Sequence, residues 1–512
     1  MEIVKDKAER NKKIKINSKI NKNNIKKRKM SSISEHEFHP LPPAPQTEHN
    51  LEVLVNQDTV YKTKEIETIQ STDIKGKEEP KKEKPLKSSI IGATFMLTNI
   101  CLGTTIFTFA VKAKSFGLVW LIVCCIIVAI VNYWTITRGV LASSTCPDRD
   151  DYSEITEQIM GKKMRNLLNF FLILYSYACI MCFIALIFPL FGRFIQSAFY
   201  KDKYETYEDF ADARWEKAYV KFPFIFGLTF FLCLLCLIKD INKLNFSAYI
   251  GVAAVIYTLF VVTIQCHAYY KYYKKNKYIK EDKSTHPNWI NFKDAWKEDL
   301  DFFKGMANLF TAYACHPGIF PVYAGFKRNY PNKGVKEMKL STLFATILTT
   351  ALHIISIVCS FLTDPYTPED LVIYRKSKDR GKDIWMVIAR LFISLSLFFT
   401  LPGYYFPLRL SFSNVFTKGN ITNTFNILFT FITCYLCAIV ASVYDKILNY
   451  LSYIGGFISV FICYLIPVLI YLYSKNEKLT KWNNLLELIA VIILIIIGVT
   501  GGIVTIIDDV KN

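Results

Sequence analysis

The sequence predicts an all-α polytopic membrane protein of about eleven transmembrane helices. Hydrophobic residues make up 52% of the 512-residue chain and charged residues only 21%, below the roughly one quarter usual in soluble domains. The charges crowd into a few segments and leave long apolar stretches at 118–131, 171–191 and 485–499. Each stretch sits in an apolar window of about 20 residues, the length a helix needs to cross roughly 30 Å of hydrocarbon. A membrane barrel would show alternating segments of about 10 residues instead, and the sequence has none.

Residues 1–87 read as a disordered basic tail, polar and charged, with a Pro-rich patch at Leu41–Pro45 and no sustained periodicity. The basic excess of this tail lies in its first thirty residues, which hold twelve Lys/Arg against three Asp/Glu in a chain of net charge +19. A Lys-, Asn- and Ile-rich segment without aromatic platforms does not suit nucleic acid. Anionic lipid headgroups are its expected attraction beyond water. No apolar core follows those charges directly, so the first span is expected to act as the targeting signal.

After Lys87 the spans fall at 89–111, 117–141, 167–195, 221–239, 244–268, 303–324, 340–362, 384–408, 423–443, 449–473 and 483–507. With the N-terminus in the cytoplasm, the basic loop Lys327–Lys339 and the segment Lys475–Lys481 lie inside, as the positive-inside rule asks. An odd number of spans then leaves the C-terminus outside. The expected location is an integral multi-pass protein of the plasma membrane or of a vacuolar or other internal membrane. Arg390 and Arg409 are expected to snorkel near the ends of the eighth span.

Three cysteine pairs have CxxC spacing: Cys179/Cys182, Cys233/Cys236 and Cys434/Cys437. Inside a helix, positions three apart share a face, so these pairs are expected to pack helices rather than hold zinc or form disulfides. No cofactor is expected apart from a coupling ion, H⁺ or Na⁺.

Polar and irregular positions within apolar spans are costly and mark function. The first span places Asn99, Gly103, Thr104, Thr105 and Thr108 together at its middle. Gly103 lets the backbone leave helical geometry, and a broken helix exposes N–H groups for a carboxylate and carbonyls for a cation. The sixth span carries His316-Pro317-Gly318 with Pro321 four residues beyond Pro317. Pro317 has no amide donor, which frees carbonyls around Ala312–Ala314. His316 serves as a proton relay or satisfies a backbone group. Four intact spans separate these two, so interrupted helices stand at matching positions of two five-span halves. That arrangement points to a secondary transporter with inverted repeats, the eleventh span lying outside them. Ser394, Ser396 and Thr400 on the eighth span offer hydroxyls for a Na⁺ shell, or simply bond carbonyls one turn back. Tyr175, Ser176 and Tyr177 on the third offer one tyrosine for a pocket wall.

Four segments, in order, resemble one family. ACHPGIFPVYAGFKRN of the sixth span is similar to the Cys-His-Pro-x-x-x-Pro-x-Tyr segment of the amino acid/auxin permease family, in particular its neutral amino acid transporter branch within the amino acid–polyamine–organocation superfamily. LTNICLGTTIF of the first span, FTLPGYYFPLR of the eighth and LSYIGGFISVFICYLIPVLIYL of the tenth resemble the corresponding segments. The resemblance covers 88–507, the expected transporter domain. It implies a five-plus-five inverted-repeat fold and a permease that moves amino acids by alternating access. Carried over, it places Gly103, Thr104 and Thr105 at the substrate carboxylate, Thr311 and Ala314 in the pocket, and Asn99 with Ser396 or Thr400 at a possible Na⁺; of the third-span tyrosines, Tyr177 is the expected pocket wall. Thr105 and Thr108 stand where the family has glycine, which implies milder unwinding and leaves H⁺ coupling or uniport open. The expected partners are an amino acid substrate and membrane lipid, not nucleic acid, with the chain acting as a monomer.

The competing classes are weaker. An intramembrane enzyme needs a nucleophile or a partnered histidine, and no acid neighbours His267, His316 or His353 in sequence. A channel would show a repeated pore-loop signature, and a seven-helix receptor fewer spans.

Overall fold

A computed structural model describes residues 89–511 except 104, 201, 205–206, 239–244, 276–288, 291–299, 331–332, 364–370, 376–382, 417–421, 444–446, 476 and 478. The expected N-terminal tail lies outside the described residues. Every regular element among the described residues is helical. Nine helices there are long and apolar enough to cross a membrane: Leu118–Ser144, Lys162–Phe199, Ala218–Cys236, Ala248–Lys271, Gly334–Thr363, Ile384–Phe416, Asn423–Val443, Asn449–Ser474 and Trp482–Lys511.

The first and sixth spans are the divided ones. The first consists of helix Ile90–Leu102, a 3₁₀ turn Thr105–Phe107 and helix Phe109–Phe116; the sixth consists of Asp301–Ala312 and His316–Asn329. Several unbroken helices overrun their apolar windows. The third starts at Lys162 and the eighth runs to Phe416, because polar flanks keep their i→i−4 bonds outside hydrocarbon as well as inside it. A short helix, Tyr152–Met160, precedes the third span and is capped by the Asp151 carboxylate on Ser153 N–H at 3.2 Å.

Helix packing follows the two-fold logic of the sequence. The third span packs on the eighth, the second on the seventh and the fourth on the ninth, each pairing an element with its counterpart in the other half. Apart from those of the eleventh span, which packs on the sixth and tenth, further contacts come in matched sets. The first span meets the fifth and seventh, and the sixth meets the tenth and second; likewise the fifth meets the eighth, and the tenth meets the third. Two equivalent five-span halves require this pattern. The outward faces are apolar, with side chains such as Ile130, Phe231, Ile264, Ile432 and Ile496 exposed, as lipid contact demands.

Close approaches between helices depend on glycine at particular points. A methyl group at Gly455, in the π-helical stretch Ile454–Leu465 of the tenth span, would meet the Ala307 carbonyl oxygen at 1.7 Å. The tenth span therefore lies directly against the first half of the sixth.

The two buried arginines of the eighth span correct an expectation. Arg390 and Arg409 are 4% and 3% exposed, so neither snorkels. Arg390 donates to the carbonyls of Ile373 and Arg375 and to Ser197 Oγ. Arg409 donates to the carbonyls of Cys236 and Ile238 and to Asn426 Oδ1. Chain segments leaving neighbouring helices present carbonyls with no intrahelical partner, and the guanidinium fork satisfies several at once. Cys233, Cys236, Cys434 and Cys437 carry free thiols buried in helix interfaces, and Cys233 Sγ approaches the Thr430 carbonyl at 4.0 Å.

Candidate functional site

The site forms where the two broken spans pass each other. In the first span the helix ends at Leu102, and Gly103 takes φ +32°, ψ −134°, a backbone state that side-chain-bearing residues rarely adopt. Thr108 Oγ then donates to the Thr105 carbonyl at 2.8 Å and steadies the turn before the second half begins.

The sixth span breaks by different means. Its first half ends at Ala312, residues Tyr313–Cys315 leave helical geometry, and the second half starts at His316 with Pro317 in its first turn. The break therefore falls before the proline. At the first helical positions the missing amide costs nothing, and the fixed φ favours a helix start. Gly318 matters for proximity: a methyl group there would meet Ile100 Cδ1 at 2.6 Å.

The backbone groups freed by the breaks have side-chain partners from the flanking spans. Tyr404 OH, on the eighth span, donates to the Ile100 carbonyl at 2.7 Å. Tyr175 OH, on the third, donates to the Ala314 carbonyl at 2.7 Å. Ser356 Oγ, on the seventh, donates to the Ile106 carbonyl. Thr135 Oγ, on the second, shares a 3.0 Å hydrogen bond with His316 Nε2. His316 is thus tied into the second span beside the break.

Between the breaks lies a cavity of about 20 Å³, room for a water but not for an amino acid. It is lined by Ile100, Cys101, Gly103 and Thr105 from the first span, and by Tyr175, Cys179, Cys182 and Phe183 from the third. Thr311, Tyr404, Leu451 and Ile454 complete it from the sixth, eighth and tenth. None of these lining residues is charged. The third-span set follows the i, i+4, i+7, i+8 spacing of one helical face.

The structure brings together much of what the sequence singled out. Gly103, Thr105 and Thr311 line the cavity, while Ala314 stands outside its lining with its carbonyl bonded to the lining Tyr175. Thr311 Oγ donates to the Leu451 carbonyl at 2.6 Å. Thr104 lies outside the described residues. Tyr175 lines the cavity in place of Tyr177, which is only half-buried. Positions two apart on a helix are separated by about 200°, so only one of the pair can face inward.

Asn99, Ser396 and Thr400 also meet. Asn99 Nδ2 donates to Thr400 Oγ at 3.2 Å, Thr400 Oγ to the Ser396 carbonyl at 2.8 Å, and Ser396 Oγ to the Gly251 carbonyl at 3.4 Å. Gly251, on the fifth span, was not foreseen. A methyl group there would stand 2.0 Å from Asn99 Oδ1, so glycine is what lets three spans bring neutral oxygens to one point. Among the described residues no group of three or more His, Cys, Asp or Glu could hold a metal ion.

A second, smaller cavity lies against the sixth span's second half, between Asp151, Tyr152, Pro317, Pro321, Phe406 and Pro407. Tyr152 closes it, stacked on Phe320 at 4.1 Å and donating to the Ile462 carbonyl at 2.9 Å. Burial, with the Glu154 charge adding to it, raises the Asp151 carboxyl to about 6. Of the charges nearby, Arg149 pairs with Glu154 and Arg328 with Asp150, while Lys327 donates to the carbonyls of Cys146 and Arg149.

A helical membrane protein of two equivalent five-span halves, whose discontinuous first and sixth spans meet at a small uncharged cavity, is the class this geometry defines. The chain belongs to the transmembrane amino acid transporter protein family, whose sequence model matches residues 86–508. Over 327 residues it is 23% identical to sodium-coupled neutral amino acid transporter 7 of Mus musculus, a match covering 62% of this chain and 63% of the relative's own length.

Proposed function

We propose that the protein is a secondary transporter that carries neutral amino acids across a membrane by alternating access. The observation that supports it best is the uncharged cavity between two helix breaks. The carbonyls of Ile100, which lines the cavity, and of Ala314, bonded to the lining Tyr175, accept hydrogen bonds and suit an α-ammonium group, while backbone N–H groups beyond Gly103 suit the carboxylate. Cys179, Cys182, Phe183, Leu451 and Ile454 leave an apolar wall for the side chain. A charged substrate side chain would lose its hydration against that wall without a counter-charge. Membership of a transporter family speaks against an enzyme.

We assign the coupling ion as Na⁺, bound where Asn99 Oδ1, Ser396 Oγ, Thr400 Oγ and the Gly251 carbonyl converge. Hard oxygen ligands without thiol or imidazole suit such a cation. The assignment is supported by the mouse relative, which is a sodium-coupled transporter. The N-terminal side of the first span is assigned to the cytoplasm from the basic loops on that side.

Uptake of a panel of labelled amino acids into proteoliposomes tests the reading, run in Na⁺, in choline, and with a protonophore. Saturable uptake of neutral amino acids that collapses in choline is expected, and Thr400→Ala should weaken the Na⁺ dependence. Uptake that persists in choline but collapses with the protonophore would transfer the coupling to H⁺. Absence of saturable amino acid uptake under every gradient would overturn the transport reading.

A further inference from the structure

We propose that the hydroxyls of Tyr175 and Tyr404 are a paired latch. In the substrate-free conformation they occupy the break carbonyls that the amino acid's ammonium group later takes, and binding displaces both. The proposal rests on the transport reading and deepens it.

Each tyrosine stands on a span that is itself unbroken, and each reaches across the cavity to a broken one: Tyr404 from the eighth to Ile100 of the first, Tyr175 from the third to Ala314 of the sixth, both at 2.7 Å. Under the exchange of the two halves, third becomes eighth and sixth becomes first, so the two bonds join corresponding pairs of spans, although Ile100 precedes its break and Ala314 follows the end of the sixth span's first half. The rings stand 6.0 Å apart and both line the cavity. That leaves a volume of about 20 Å³, too small for an amino acid until at least one hydroxyl withdraws.

A carbonyl freed within a span is costly to leave bare, since an unpaired buried acceptor loses its full hydration. The tyrosines remove that cost while no substrate is present. An ammonium group is a donor with three N–H bonds and no acceptor, and as a charged donor it makes the stronger bond to a carbonyl. It can therefore replace a neutral hydroxyl. A carboxylic acid lacking the amine cannot. The exchange ties opening of the latch to the group that every α-amino acid carries, and leaves side-chain choice to Cys179, Cys182 and Phe183.

The test uses purified full-length protein carrying Tyr404→Phe, Tyr175→Phe or both, in proteoliposomes. Phenylalanine keeps the ring packing, including the 5.1 Å contact of Tyr404 with Phe183. If the hydroxyls must be displaced, each single variant lowers KM for a transported neutral amino acid by about 2- to 10-fold, the range one hydrogen bond commands, and the double variant lowers it further. The same variants lose thermal stability without ligand and gain a larger stabilisation from saturating amino acid. A desamino carboxylic acid analogue gains nothing. A raised or unchanged KM in both single variants, with no enlarged stabilisation by ligand, would overturn the latch. Wild-type protein failing to take up amino acid at all would instead defeat the transport reading, so the two failures are separate.

Discussion

The two helix breaks do the same work with different chemistry. In the first span the discontinuity depends on one glycine at φ +32°, and the chain recovers through a 3₁₀ turn braced by Thr108. In the sixth it depends on a non-helical stretch, Tyr313–Cys315, from which Pro317 launches a new helix. The supports, by contrast, come from corresponding spans. Tyr404 and Ser356, on the eighth and seventh spans, bond the carbonyls around the first break. Tyr175 and Thr135, on the third and second, bond the backbone and His316 at the sixth. The local means of interrupting a helix differ between the halves, while the side chains that satisfy what the interruption frees stand on corresponding spans.

Substitution at the two breaks should therefore be unequal. Gly103→Leu places a side chain where φ is positive and fills the cavity, so saturable uptake should disappear while the protein still reaches the membrane. Pro317→Ala keeps a residue that starts helices well and should retain most uptake. Equal loss in both, measured as initial rates at matched expression, would break the distinction.

The supports should behave as a pair. Ser356→Ala and Thr135→Ala each strip a buried partner from a break, so each should cost about 1–3 kcal/mol of stability, read as lowered thermal stability in detergent, with uptake reduced several-fold. A loss confined to one of them would argue that only one break needs its brace.

The smallest effect is expected at the Asp151 cavity. The carboxyl titrates near 6 in the packed arrangement, against 3.8 when solvated. Packing thus binds the proton more tightly. It carries the full cost of a buried carboxylate above about 6 and none below about 3.8, and acidification between these values favours the packed state. Lowering pH on the Asp151 face from about 7 to about 5 should slow uptake by a small factor, and Asp151→Asn should flatten that profile. The same pH response in wild type and variant would remove Asp151 from it.

Much of this was legible in the sequence. Eleven spans follow from apolar windows, and both interruptions from Gly103 and from His316-Pro317-Gly318. The exact start of the sixth break was less so, because proline marks both the interruption of a helix and the beginning of one. Tyr177 was preferred to Tyr175 although only the helix's rotation about its own axis distinguishes them. Tyr404 was hidden among 30 tyrosines and 39 phenylalanines, and its partner Ile100 lies 304 positions away. Gly251 carried no sign in its own span, since its role exists only once Asn99 and Ser396 arrive beside it.

A structure of the protein with a transported amino acid bound tests the central claim most directly. The account predicts ligand density between Ile100–Gly103 and Thr311–Ala314, its amine on the two break carbonyls and both tyrosine hydroxyls moved off them. Ligand bound elsewhere, with the first and sixth spans closed into continuous helices, would contradict it.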